Sequence, residues 1–353
     1  MAWLSRLLGG ILCLVLTGVV SALPAGGAAE EVVIVAGGDV LLDRGVRSAP
    51  GFAGDGRELF KFIQPVLADA DIAFANLECP LASECYCLPK AYCLRGDPEK
   101  AQGLSAAGFD LLTLANNHVY DCGREAISST VSVLTACGVQ VAGAGADLAA
   151  ASRPAVFNIR GVKVAIAAFT QFPLEGLCWD PARPTPALCS CAEMAERVKR
   201  IRKDVDLLIV SIHWGLEYSP LPSESQLATA NALVEAGADV IVGHHPHVVQ
   251  PCEKIGSHWV AYSLGNLVFD SRRPEARLAA LIVVRFNNKT RALTVRFLPL
   301  EIRQDRPEPA AAPEELKIVR SLNGLAEAQA WMADGGLIAH AGETRVSSGK
   351  GAP

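Results

Sequence analysis

Residues 237–250 read GADVIVGHHPHVVQ, an apolar run of strand type that closes on three histidines and a proline. Val240, Ile241 and Val242 suit a buried strand, and Pro246 discourages a helix directly after it. Side chains at i and i+2 of an extended segment point the same way, so His245 and His247 are expected to reach one cluster from here. A strand ending in ligand-capable side chains fits an open α/β sheet, where ligands bind outside the carboxyl ends of the strands.

Similar runs recur at EVVIVAGG (31–38), DIAFAN (71–76), DLLTLAN (110–116), VKVAIAAF (162–169) and DLLIVSIH (206–213). Helical patterns lie between them at 123–138 and 223–238, each with a glycine at or next to its end that can take a left-handed C-terminal position. The alternation predicts an α/β domain on a largely parallel sheet. From Trp259 to Ile302 the helices stop, and WVAYSLGNLVF, ARLAALIVVRF and RALTVRFLPLEI read as antiparallel strands completing a second sheet, with a turn at 287–290. Residues 306–313 are rich in Pro and Ala, a helical pattern spans 314–330, and the Gly- and Ser-rich end is expected to be mobile. The chain thus divides into 1–29, a folded domain over 30–305, and a C-terminal helix and tail over 306–353.

With half of its 353 residues apolar and one-fifth charged, the chain can bury a large core. A net charge of −5, with no run that interleaves basic and aromatic residues, argues against a nucleic-acid partner. Arg6, the apolar LLGGILCLVLTGVV and the small residues near 20–29 follow the order of a secretory signal peptide. Export to the periplasm or outside the cell is expected, with an uncleaved N-terminal anchor as the alternative. Past the leader ten cysteines remain, and an even number in an exported chain favours disulfides, with most of the ten expected to pair. The rival, a zinc cluster at Cys79–Cys93, lacks the paired C-x2-C spacing of common zinc sites.

Five of the seven histidines fall at strand ends together with acids and amides: Asp39 after the first run, Asn76 and Glu78 after the second, Asn117 and His118 after the third, then His213, His244, His245 and His247. Mixed imidazole, carboxylate and carboxamide ligation suits Mn, Fe or Zn better than Ca.

The blocks GGDVLLDR (37–44), ANLECPL (75–81), LANNHVYDCG (114–123), HWGLEY (213–218), GADVIVGHHPHVVQ (237–250) and SLGNLVFD (263–270) run in an order that resembles the CapA, or PGA_cap, family of exported capsule-synthesis proteins. The resemblance implies a calcineurin-like metallophosphatase fold, with two mixed β-sheets sandwiched between helices, and a site for one or two divalent ions. It implies metal ligands at Asp39, Glu78, Asn117, His213, His245 and His247, with Asn76 or Glu78 in the bridging place. It implies His118 as the catalytic group near the leaving group. Asp43, Arg44, Asn76, Asn116, Glu217, His244 and Asn266 would orient ligands or touch substrate. The substrate it implies is an anionic polymer of the poly-γ-glutamate type or a phosphorylated small molecule, and its partners are other capsule-synthesis membrane proteins. The sequence departs from the phosphoesterase pattern at Leu41, which stands where D-x-H has its histidine, and in lacking a G-D-x-x-D after the second strand.

Overall fold

β1 (Glu31–Val40) shows how the chain is layered. Val32, Ile34 and Ala36 belong to one core, while Val33 and Val35 belong to another. Successive side chains of a strand point to opposite faces, so a strand apolar on both has to be covered on both. The computed structural model describes residues 31–333; the leader and the last part of the tail lie outside the described residues, as do the expectations placed on them.

In chain order β2 (Ile72–Leu77), β3 (Leu111–Thr113), β4 (Gln140–Ala142) and the two-residue β5 (Ala144–Gly145) come next. β6 (Ala155–Ile159), β7 (Val162–Thr170), the two-residue β8 (Thr185–Pro186), β9 (Leu207–His213) and β10 (Val240–His244) follow. The remaining strands are β11 (Cys252–Ile255), β12 (His258–Ala261), β13 (Asn266–Val268), β14 (Leu278–Asn287), β15 (Leu293–Arg303) and β16 (Arg306–Pro309). One sheet has the order β16-β15-β14-β1-β2-β3-β4, with β13 also paired to β1; the other has the order β11-β12-β10-β9-β7-β6. The first is parallel from β1 to β4 and antiparallel from β1 out to β16, and the second has a parallel centre with antiparallel edges, so both are mixed.

The inner faces of the two sheets share one core, in which Ile34 and Phe74 join Ile166 and Val210. Helices 100–107 and 124–136 back the first sheet through Leu104, Ile127 and Leu134. Helices 191–202 and 224–235 back the second through Met194, Val198 and Leu233. Each of the latter pair opens with a reciprocal capping box, Ser190 with Glu193 and Ser223 with Gln226, which satisfies backbone donors that a helix start leaves open.

The strands after Trp259 do not complete a sheet of their own. β12 adds to β10 in parallel, β13 pairs β1 in parallel, and β14 with β15 extends the first sheet antiparallel. The reason lies in β14, buried from Ala279 to Val284, which needs cover on both faces and finds it beside β1. The same sheet continues past residue 305 into β16.

Two disulfides form: Cys87–Cys93 within the segment that follows Glu78, and Cys85–Cys122, which ties that segment to the loop after β3. The expectation that most of the ten cysteines pair is not met, since Cys79, Cys137, Cys178, Cys189 and Cys191 are thiols. Cys79 and Cys189 are buried in the two cores, where free cysteine packs as a small hydrophobe. Among the described residues no helix is long and apolar enough to cross a membrane.

Candidate metal centre

Strand register brings the polar side chains together. Asp39 lies opposite Asn76 and Asn266 on the neighbouring strands, and His244 lies opposite His213. Close approach of the backbone helps: a Cβ on Gly38 would sit 1.9 Å from the Gly265 carbonyl, and one on Gly243 would sit 1.9 Å from that of Tyr262. Past β10 the chain does not stay extended as the sequence suggests. His245 and His247 take φ of 94° and 58°, conformations that non-glycine residues rarely adopt and that cluster at functional sites. Pro246 sits between them with its fixed ring, and the turn still brings both imidazoles to Glu78. Ligand atoms of Glu78, His245 and His247 lie within 4.8 Å of one another.

Asp39 is fully buried, and its carboxylate is gripped on every side. Asn76 Nδ2 donates to its Oδ1 at 2.8 Å, the His245 backbone N–H donates to its Oδ2 at 3.1 Å, and His244 and His247 Nδ1 lie 3.3 and 3.4 Å away. Glu78 is equally buried yet neither of its oxygens has a hydrogen-bond partner; His213 Nε2 and His247 Nε2 stand 3.6 and 3.8 Å from Oε1. Nε2 of His244 and Nδ1 of His245 are also without partners. Buried polar groups are nearly always paired, and a cluster of orphaned oxygens and imidazole nitrogens is what a cation would satisfy. The residues present therefore fit a divalent transition metal. Of the two candidates for the bridging place, Glu78 has free oxygens, whereas Asn76 spends Nδ2 on Asp39 and accepts from Asn116 Nδ2 at 3.0 Å through its Oδ1.

Electrostatics divides these groups. Burial works to raise the Asp39 pKa, but hydrogen bonds and charge from His244 and His247 outweigh it and hold the carboxyl well below its ordinary value. Burial, aided by the Asp39 charge, pushes Glu78 well above its own. Burial and the charge of His245 depress His213, and burial and the charge of His247 take His245 down to about 3. Burial opposes protonation of His247 too, but Glu78 and Asp39 overcome it and raise the ring to about 9. A metal needs Glu78 as carboxylate and His247 as neutral imidazole, so binding has to displace their protons. Because both pKa values are raised, affinity should increase with pH through neutrality and level off near the His247 value of about 9. Competition with a chromophoric chelator at pH 6, 7 and 8 measures this; affinity that is flat or falls over the range would rule it out.

The loop after β3 carries the remaining pair. Asn117 Oδ1 lies 2.9 Å from His213 Nε2, at the edge of the cluster. Asn116 is a brace: its Oδ1 accepts from the His118 and Val119 backbone N–H groups at 3.0 and 2.9 Å, and its Nδ2 also donates to the Leu77 carbonyl at 2.8 Å. His118 Nδ1 meets Asp121 Oδ2 at 2.8 Å, which leaves Nε2 as its exchangeable nitrogen. Its charge is felt by His245.

At the rim, Asn266 fixes the His247 ring, with Oδ1 3.0 Å from Nδ1 and Nδ2 donating to the carbonyls of His247 and Ala276. Arg44 is exposed, pairs with Asp270 and lies over the Phe269 ring at 5.1 Å. Asp43 turns away from the cluster, accepting from Arg47 Nε at 2.6 Å and from the Arg95 backbone at 2.8 Å. Glu217 starts no helix; it is exposed in the loop after β9, and its charge is felt by Glu78 and His247. Leu41 is fully buried in the outer core, so an apolar side chain fills the place where D-x-H has its histidine.

Sequence reading passed over Phe172, whose ring stands 4.1 Å from that of His245 and 5.6 Å from that of His213. It also passed over Asp121 and Lys90. Asp121 had a signal in its three-residue spacing from His118, while Phe172 and Lys90 lie in loops whose path no periodicity reveals.

Two mixed sheets packed face to face between helices, with a His and carboxylate cluster at their carboxyl edges, make this an α/β protein with the two-sheet architecture that the family resemblance implies. Residues 33–271 match the family described as bacterial capsule synthesis protein PGA_cap. The chain belongs to that family. It is 30% identical to the capsule biosynthesis protein CapA of Bacillus anthracis over 83% of this chain and 73% of the relative. It is likewise 30% identical to the PGA biosynthesis protein CapA of Bacillus subtilis (strain 168) over 77% of this chain and 72% of the relative. Among solved structures it is similar to a 5'-nucleotidase precursor from Thermus thermophilus, at 15% identity and a TM-score of 0.43, covering 86% of this chain and 59% of that one.

Proposed function

We propose that the chain is an exported, metal-dependent hydrolase of capsule-polymer synthesis that cleaves a phosphoester or a γ-glutamyl amide. The observation that carries this is Glu78, a fully buried carboxylate with no hydrogen-bond partner, set among three histidine rings. Asp39, Glu78, Asn117, His213, His245 and His247 would hold Mn, Fe or Zn, as one ion or two. A bound ion supplies Lewis-acid polarisation of a substrate oxygen and a lowered pKa for water.

The protein's own groups do the rest. Asn266 and Asn76 hold His247 and Asp39 in place, and Phe172 screens the His213 and His245 rings from solvent. Asp121 fixes the Nδ1 side of His118, so that a proton can pass from Nε2 to the leaving group. Arg44, exposed at the rim, meets anionic groups of the substrate. The two disulfides fit an oxidising compartment, which supports export. Other capsule-synthesis membrane proteins are the proposed partners.

A second reading rests on Leu41, buried where the phosphoesterase pattern has a histidine. In it the protein binds the anionic polymer for export without cleaving it. Protein loaded with Mn, Fe or Zn and offered a phosphodiester and γ-glutamyl-amide panel separates the two. Metal-dependent turnover is expected; saturable binding of poly-γ-glutamate with no turnover would favour the second reading instead.

A further inference from the structure

We propose that Lys90 is a positioning residue for His118, and that the two disulfides act on the site through it. This rests on His118 being the proton donor of the proposed hydrolysis. Lys90 is the middle residue of the loop that the Cys87–Cys93 disulfide closes, and its side chain is only 2% exposed. Its Nζ donates to Asp121 Oδ1 at 2.7 Å and to the Asn117 carbonyl at 2.6 Å, and lies 4.8 Å from the centre of the Tyr120 ring.

Asp121 is fully buried, so its carboxylate would be costly without a counter-charge and a full set of donors. The segment after Glu78 supplies nearly all of them. Lys90 takes Oδ1, while the Leu94 backbone donates to Oδ2 at 2.8 Å beside His118 Nδ1. The Leu88 backbone donates to the Asp121 carbonyl at 3.1 Å, and the next residue, Cys122, is tied back to Cys85. Lys90, Asp121 and His118 thus form a row that runs from two buried side chains to a partly exposed imidazole, and its first two members are held by disulfide-tied chain. A lysine side chain is long and loses much rotamer freedom when fixed, so closing the loop that bears it lowers the cost of placing the ammonium here.

Reduction by a dithiol gives each disulfide two electrons and two protons, yielding two thiols while the dithiol closes to a cyclic disulfide. Lys90 is then no longer presented, so Asp121 loses its counter-charge and the Asn117 carbonyl loses a donor, while the Asn117 side chain, the part that faces His213, keeps its own contact. Losing a supporting partner of this kind costs roughly 10- to 100-fold in activity.

The test compares wild type, Lys90→Met and a Cys87→Ser/Cys93→Ser variant that keeps Lys90 but unties its loop, each metal-loaded, with and without a dithiol. In Lys90→Met, metal content should match wild type, and kcat on a poor-leaving-group substrate should fall at least about tenfold with little change in KM. Histidine-selective 15N spectra should show Nδ1 of His118 uniformly protonated in wild type, in the imidazolium that donates from Nε2 and in the neutral ring alike, and a mixture of neutral tautomers in the variant. The untied variant and reduced wild type should reproduce both changes, and reduction should add nothing to Lys90→Met, because coupled perturbations are not additive. A wild-type His118 signature in folded Lys90→Met, or in the folded untied variant, overturns the proposal. Should wild type turn over no substrate, the hydrolase reading fails, and the tautomer spectra still decide the role of Lys90.

Discussion

Replacing His245 and His247 together with alanine should abolish high-affinity binding of Mn, Fe or Zn. The two rings gather at the Glu78 carboxylate with His213, so the double variant leaves that carboxylate a single imidazole neighbour of the three. The loss should exceed the roughly 10- to 100-fold that removal of a supporting partner produces. Both positions have positive φ, and alanine carries the same Cβ as histidine there, so the backbone strain is unchanged and the fold should survive. Metal content after loading and desalting, read beside a circular-dichroism spectrum, checks this. A folded double variant that keeps wild-type metal would move the centre elsewhere.

His118→Asn should separate chemistry from metal. His118 hydrogen-bonds Asp121 through Nδ1, while its neighbour Asn117 contacts His213. Losing a general acid typically costs on the order of a hundredfold or more in rate. The variant should therefore keep its metal and lose hydrolysis of substrates with poor leaving groups, whereas substrates with good leaving groups need less protonation and should suffer less. Equal rates for wild type and variant on a poor-leaving-group substrate would remove His118 from the mechanism, and no turnover in either would favour the polymer-binding reading.

The central strands were legible because their apolar runs are uninterrupted, as in VKVAIAAF and DLLIVSIH, which form β7 and β9. The placing of β12 to β15 was not, since periodicity marks a strand but carries no information about which neighbour it pairs with. At the site, the ligand-capable residues stood out by their position at strand ends. Their division of labour did not: Asn76 and Glu78, two residues apart, differ in which of them has unpaired oxygens, and that depends on Asn116 arriving from the loop after β3. Asp43 shares a motif with Asp39 yet faces Arg47, because the chain turns into a short 3-10 helix at Arg44–Ser48 and carries it off the site. The cysteines misled in number because burial in a core, invisible to spacing, keeps Cys79 and Cys189 apart from any disulfide partner.

The central claim is that Glu78 and the histidines around it form a metal site. Wild-type protein loaded in turn with Mn, Fe and Zn, desalted and analysed for bound metal, tests it most directly. The account predicts that at least one of the three is retained in near-stoichiometric amount and is lost from the His245→Ala/His247→Ala variant. Retention of none of them by the folded wild-type protein would contradict it.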